Sequence, residues 1–359
     1  MKILIDIGHP AHVHLFKNFA WQMEDRGHKI LFTVRDKEYE IYLLQKYGFK
    51  YVSFGRHYST KYGKIWGLFK FDLKMFSTTF KYKPDILIGH GSIYAAHASW
   101  LMNKISILLE DTGNLEQVSL YKPFTDVILT PDVLQENLGS KQIKYASYHE
   151  AAYLLPKYFQ PDPTIYQYLG IDQKQSFILL RFVAWKATHD QGKKGISLEN
   201  KKKAVEAFIK YGNVFISSEA DLPANFEKYQ LKIPPEKMHS VLYYADLLYG
   251  ESTTMASECA LLGTPAVFVN NVKAGVLQDQ QQYELIYQFD ESTTGQEQSL
   301  AKAIEILNVP NIKSEWKERC QQLLKNKIDL TDFMIWFVEQ YPDSFTIMKT
   351  NPDYQSRFH

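Results

Sequence analysis

Short apolar runs alternate with amphipathic stretches along the chain, and glycine or polar turns separate them. In the first half the runs are 2–7 (KILIDI), 29–34 (KILFTV), 51–54 (YVSF), 85–89 (DILIG), 105–109 (ISILL) and 126–130 (DVILT). Near-continuous apolar runs of this length suit parallel strands covered on both faces, so each predicts a β-strand. Val13, Phe16, Phe19, Ala20 and Met23 recur at three- and four-residue spacing with Glu24, Asp25 and Arg26 outside the stripe, which predicts a helix over 12–26. Gly27 supplies its left-handed stop. The second half repeats the scheme, with strands predicted at 177–182, 213–217, 239–242, 246–249 and 265–269. Helices are predicted there at 199–211, 253–262, 299–307 and 314–326. Alternating βα units in two blocks predict an α/β protein of two doubly wound parallel-sheet domains facing across a cleft.

The boundary falls at 156–175, where Pro156, Pro161 and Pro163 punctuate a polar stretch. The expected domains are 1–160 and 161–330. A last helix near 331–341 (TDFMIWFVEQY) is apolar on too many sides to lie free, so the tail 331–359 is expected to pack back on the first domain. The length of 359 residues suits two domains of ordinary size. A net charge of +1 provides no global field for nucleic acid, and the two cysteines, Cys259 and Cys320, stand in no metal-ligand spacing. The first apolar run is too short for a signal-peptide core, and nowhere do 18 apolar residues run together, so the expected address is the cytoplasm.

In such folds ligands bind at the carboxyl ends of the strands, so the loops there are where chemistry is expected. The most informative is Gly250-Glu251-Ser252-Thr253-Thr254-Met255-Ala256-Ser257-Glu258. A strand ends at Tyr249, small and hydroxyl residues turn the chain, and a helix opens near Thr253. Its amides and dipole make a site for a diphosphate, with Ser252, Thr253 and Thr254 adding hydroxyls. Glu258, one and a half turns in, suits the ribose diol. An ordinary capped helix with one buried polar residue would read the same way.

That segment, continuing to Leu262-Gly263-Thr264-Pro265 and preceded by Met238-His239-Ser240-Val241-Leu242-Tyr243-Tyr244-Ala245-Asp246, resembles the nucleotide-sugar signature of the GT-B superfamily. It is similar to the same stretch of UDP-GlcNAc 2-epimerases and of the GlcNAc transferase of peptidoglycan synthesis. The whole chain resembles a family of predicted glycosyltransferases first catalogued as a domain of unknown function. The pieces IDIGHPAHVHLFKNF, RGHKILFTVRDKE, KPDILIGHGS, YHEAAYL and STTMASECALLGTP carry the likeness, over roughly residues 1–290. The resemblance implies two Rossmann-like domains in the GT-B arrangement. It also implies a nucleotide-sugar donor, UDP-linked, as substrate, with no further cofactor. Glu258 matches the acid that such enzymes set on the donor ribose, and Thr253, Thr254 and Met255 match the turn that meets the diphosphate. Threonines stand there where many relatives have glycines, which narrows the approach. His239 and its neighbours match the loop whose backbone reads the nucleobase. Arg181 sits where a basic residue reaches the diphosphate, with an inter-domain salt bridge as the plain alternative. Ser217 and Ser218 are weaker candidates.

In the first domain the loop Gly8-His9-Pro10-Ala11-His12-Val13-His14 raises a metal reading, which lacks a partnering carboxylate or thiolate motif. The resemblance sets His12 against the acceptor as general base, with His9 beside it as a substrate-binding candidate, while capping of the helix by His9 or His12 is the plain alternative. Glu110 and Asp111, adjacent after the fifth strand, are the other candidate bases, or the groups that orient His12. Capping of the next helix by Asp111, Thr112 or Asn114 is their plain alternative. The Gly89-His90-Gly91-Ser92 turn is expected to line the acceptor side, and His189, in Lys186-Ala187-Thr188-His189-Asp190, is a lesser candidate. No Asp-x-Asp pair occurs, which agrees with a metal-independent site.

Residues 56–83 hold seven Lys/Arg against one acid, Asp72, among many aromatics. They read as an amphipathic helix on the sheet with solvated lysines, or as a contact with the inner face of a membrane. The leading expectation is a glycosyltransferase of bacterial surface-glycan synthesis, acting on a polysaccharide or glycolipid acceptor. A nucleotide-sugar 2-epimerase is the alternative. Those enzymes carry Gly-Thr-Arg-Pro-Glu in the first loop and His-x-Glu-Ala-Gly-x-Arg near the fifth strand, where this chain has Gly8-His9-Pro10-Ala11-His12 and Leu109-Glu110-Asp111-Thr112-Gly113-Asn114. A non-catalytic nucleotide-sugar-binding protein is the third reading. A dinucleotide-dependent oxidoreductase is disfavoured, since no G-x-G-x-x-G follows the first strand.

Overall fold

A computed structural model describes residues 1–56, 58, 61–183, 195–219 and 222–359. The chain divides into two compact units, Met1–Tyr158 with Lys327–His359, and Phe159–Asn326. His189 and its neighbours lie outside the described residues.

In the first unit seven strands form one parallel sheet: β1 (Lys2–Ile7), β2 (Lys29–Asp36), β3 (Tyr51–Arg56), β4 (Ile86–His90), β5 (Ile105–Leu109), β6 (Val127–Pro131) and β7 (Gln142–Tyr145). Their order is β3-β2-β1-β4-β5-β6-β7. The order reverses between β1 and β4, which makes the crevice beyond their carboxyl ends the switch point where such sheets hold ligands. Leu4, Leu87, Leu108 and Ile128 are fully buried beneath flanking helices, the reason these strands read as near-continuous apolar runs. The first helix runs Pro10–Asp25, and the chain leaves it through Gly27 at φ 84°.

The tail helix Leu330–Glu339 buries Leu330, Phe333, Met334, Ile335, Phe337 and Val338 against the helices Pro10–Asp25 and Ala151–Leu154. Thr331 Oγ1 donates to Ala152 O at 3.0 Å, and Glu339 pairs with Arg26 and His28. A helix apolar on several sides is thereby covered from several sides.

The second unit holds β8 (Phe177–Phe182), β9 (Asn213–Ser218), β10 (Leu247–Gly250), β11 (Ala266–Val269) and β12 (Ile286–Phe289), in the parallel order β12-β11-β10-β8-β9. Its reversal lies between β8 and β10. Both units are thus Rossmann-like layers of parallel sheet and helix.

Three elements correct the sequence reading. Residues 239–242 are not a strand but part of the helix Met238–Tyr244, which a turn opening on Pro234 and Pro235 leads into. Aromatic and β-branched residues there imitate a strand, while the two prolines mark a helix start. The strands β7 and β12 have no counterpart among the apolar runs of the sequence. Each is four residues long at a sheet edge, and Lys144 and Gln288 interrupt their apolar pattern.

Candidate functional site

In the first unit, charge gathers at the switch point. Asp6, 1% exposed near the end of β1, accepts from Thr33 Oγ1 (2.8 Å), Ser92 Oγ (2.5 Å) and Arg35 Nη1 (2.9 and 3.0 Å). One carboxylate therefore ties β1, β2 and the turn after β4, and the Arg35 guanidinium lies over the Tyr94 ring at 4.9 Å. These four donor contacts, two of them from one guanidinium nitrogen, replace the water that the buried carboxylate has given up.

Above this network four side chains from four loops meet. His12 is in the first turn of its helix, and its Nδ1 accepts from Gly8 N at 3.3 Å. Its ring lies 4.5 Å from that of His90, at the end of β4. His90 Nε2 is 2.9 Å from Asp111 Oδ1, and His149 Nδ1 is 2.9 Å from Asp111 Oδ2. Burial, then the neighbouring imidazoles, hold the His12 pKa well below 6.5, so its ring is neutral near neutral pH. Burial alone would lower the His90 pKa, but the hydrogen bond and charge of Asp111 raise it. Burial would likewise raise the Asp111 carboxyl, but the charge and hydrogen bond of His149, with those of His90, pull it well below 3.8. The arrangement is a neutral base beside a carboxylate-anchored histidine pair. His149 Nε2 is buried without a hydrogen-bond partner among the described residues.

The other candidates of this unit have local duties. His9 caps the first helix, its Nδ1 accepting from Ala11 N at 3.2 Å. Glu110 is turned inward: Oε1 accepts from Thr112 N at 2.8 Å and from the Thr112 hydroxyl, and Oε2 from the Tyr121 hydroxyl at 2.8 Å. Asn114, not Asp111, caps the following helix. Among the described residues, His90, Asp111 and His149 also form the group able to hold a metal, with one ligand atom from each within 4.8 Å of the others. That possibility lies beside the first loop, not in its three histidines. The two hydrogen bonds to Asp111 account for the same geometry without an ion.

In the second unit the helix Thr253–Leu262 opens at Ser252, whose Oγ accepts from Met255 N at 3.3 Å. Ser252, Thr253 and Thr254 are part-exposed, so the helix tip with its unsatisfied amides is open, whereas Met255 is buried. Gly250 precedes it because nothing larger fits: a Cβ there would lie 2.1 Å from Arg181 O on the neighbouring strand. Arg181 Nη1 donates to Ser217 Oγ at 2.9 Å, and Nη2 pairs with Glu219. Its buried Nε has no partner among the described residues. Glu258 is 5% exposed, and its Oε1 is 3.0 Å from His239 Nε2. His239 thus stands on a helix with its ring buried against Glu258, where the sequence reading had a loop offering backbone to a base.

Sequence reasoning missed three kinds of residue. Glu251, 1% exposed, accepts from Val183 N and Ile196 N at 2.6 Å each and pairs with Lys201 at 3.2 Å. It ties Val183, at the end of β8, to Ile196. Asp6 and Arg35 carried a signal, each a charge inside an apolar strand. His149 carried only its place in the YHEAAYL piece, because 37 residues of chain lie between it and Asp111.

A family profile described as "Protein of unknown function (DUF354)" matches residues 1–292. An uncharacterized protein of Methanocaldococcus jannaschii is 25% identical over 281 residues, covering 74% of this chain and 81% of the relative. The UDP-GlcNAc 2-epimerase of Neisseria meningitidis bound to UDP-GlcNAc superposes with a TM-score of 0.65 at 15% identity, over 91% of this chain and all (100%) of that one. The SsfS6 glycosyltransferase of Streptomyces sp. SF2575 does so at 0.57 and 11% identity, over 95% and 100%. At such identities the likeness is one of fold, shared by transferases and epimerases alike. With its matched segment spanning most of its length, the chain belongs to the DUF354 family.

Proposed function

We propose that this protein is a glycosyltransferase that takes a sugar from a UDP-linked donor and passes it to a glycan or lipid-linked acceptor. The observation that carries the reading is the open helix tip at Thr253, beside Arg181 and at the switch point of the second sheet. That tip suits a diphosphate, whose charge the helix amides and the guanidinium offset. Likeness to an epimerase holding UDP-GlcNAc supports the same ligand class. Glu258, positioned by His239, would meet the ribose.

The first unit would supply the base. In transfer, the bond from the anomeric carbon to the phosphate oxygen breaks and its electrons leave with the diphosphate. The acceptor oxygen forms the new bond and gives its proton to neutral His12. Asp111 orients His90 and His149 around that ring. The reading places catalysis in the cytoplasm, where nucleotide-sugars are made, and uses no divalent ion. Chelation should leave turnover unchanged; loss with a chelator and recovery with zinc would hand His90, Asp111 and His149 to a metal.

A thermal-shift screen over nucleotides and nucleotide-sugars tests the donor, since a ligand of the folded state raises the midpoint. A screen without a nucleotide hit would end the reading. The epimerase alternative draws on the same fold likeness and predicts a 2-epimerised sugar from UDP-GlcNAc and enzyme alone, which proton NMR would detect. A non-catalytic binder would show the thermal shift and no turnover.

A further inference from the structure

The helix Lys61–Tyr82 packs one stripe inward and leaves another bare. Gly67, Phe71, Met75 and Thr79, four residues apart, are buried against the sheet. On nearly the opposite side Trp66, Phe69, Leu73 and Phe80 are 64, 62, 70 and 61% exposed. At 3.6 residues per turn these four fall within an arc of about 60°. Core packing does not require them, and so dense a row of large apolar groups is uncommon on a soluble surface. The neighbouring helix Ile93–Leu101 packs on this one and leaves Trp100 and Leu101 62 and 63% exposed as well.

Charge decides what covers the stripe. Lys70, Lys74 and Lys81 flank it along one side within about one quarter turn. Lys70 Nζ donates to the Tyr58 hydroxyl and Lys74 Nζ to the Phe54 carbonyl, each at 2.8 Å. The single acid of the segment, Asp72, is taken up by His97 at 3.0 Å, and the other nitrogen of that ring meets Leu120 O. The chain as a whole carries +1, so this concentration of positive charge is local. In a two-fold contact between copies the same rim would meet itself, lysine against lysine. An anionic lipid surface instead offers headgroups to the lysines and an acyl boundary to Trp66, Phe69 and Leu73. No helix among the described residues is long and apolar enough to cross a membrane, so contact would be from one side.

We propose that the exposed stripe of the helix Lys61–Tyr82, with its lysine rim, docks the first unit onto an anionic membrane. The surface is read from these side chains alone; its extension, that the acceptor is carried on a lipid, rests on the transferase reading above.

The test uses the full chain and extruded vesicles, with no donor present, so its outcome is separable from that of nucleotide binding. Vesicles of phosphatidylcholine are compared with vesicles one-third phosphatidylglycerol. Co-sedimentation on the anionic vesicles is expected, with a blue shift of the emission that Trp66→Phe removes. The triple variant Trp66→Ser, Phe69→Ser, Leu73→Ser should lose binding while keeping its melting point, since these groups are outside the core. Lys70→Gln, Lys74→Gln, Lys81→Gln together should weaken binding on the order of a hundredfold, as three near-surface charges do. Equal partition onto neutral and anionic vesicles, or unchanged binding by the triple variant, would overturn the proposal. So would a dimer in sedimentation velocity that the triple variant dissociates, because the stripe would then belong to a second copy.

Discussion

Asp111→Asn tests the first unit most directly. Asp111 Oδ1 and Oδ2 each lie 2.9 Å from an imidazole nitrogen, and the side chain is 24% exposed. A hydrogen bond to a charged group contributes about 1.5–3 kcal/mol. The amide keeps one acceptor oxygen as a neutral partner, so the net cost is about 2 kcal/mol, less than two full bonds. For a unit of this size that is a fall of about 4–8 °C in melting point. The loss must also depend on pH. His90 has a raised pKa, so its contribution is complete below the unfolded value of 6.5 and fades as pH rises through the folded value. Asp111 has a depressed pKa, so its contribution is present above 3.8 and fades only as pH falls through the folded value. The gap between parent and variant should therefore be widest between 3.8 and 6.5 and narrower in alkaline buffer. Melting curves at about pH 5.5 and pH 9 bracket that window. A gap of the same size at both, or none, would refute the assigned pairing of His90, Asp111 and His149.

Three further outcomes can be measured. His12→Ala should lower turnover by about 10²–10⁴ while UDP affinity is retained; an unaltered rate in an acceptor assay removes it as the base. Glu258→Ala should weaken UDP binding by about 1–3 kcal/mol in calorimetry, with Glu258→Gln in between, and unchanged affinity would defeat the ribose assignment. Gly250→Ala should cost about 3 kcal/mol or more, because the new methyl meets a strand backbone that cannot yield; a parental melting point would show that β8 and β10 are not that close.

Where the apolar pattern was strong, the fold was legible. The runs at 2–7, 105–109 and 177–182 coincide with β1, β5 and β8, and 253–262 is a helix to the residue. Each is buried on both faces or opens with a hydroxyl cap, so local chemistry and final environment agree. The edge strands β7 and β12 were illegible, because a half-covered strand of four residues tolerates Lys144 or Gln288. The helix Met238–Tyr244 was misread because its side chains suit either state and burial beside Thr253–Leu262 decided between them. Within the sites, His12, Asp111 and Glu258 were visible as polar residues at strand ends or in the signature segment. Their partners were not: His90 and His149 reach Asp111, and His239 reaches Glu258, only through folding.

The amino-acid sequence by itself determined the two-block α/β plan, the open capped helix at Ser252 and the lysine-rich aromatic segment, because each follows from period, turn chemistry and composition within a few turns of chain. Tertiary structure alone decided which charged groups find partners: Asp6 with Arg35, Asp111 with two histidines, Glu251 with Lys201 and the amides of Val183 and Ile196. It also decided that Glu110 faces inward while Trp66, Phe69 and Leu73 face out. The physical reason is that a buried carboxylate must regain from protein donors the hydrogen bonds it gives up to water, and for Asp6, Asp111 and Glu251 those donors come from segments that only folding places side by side.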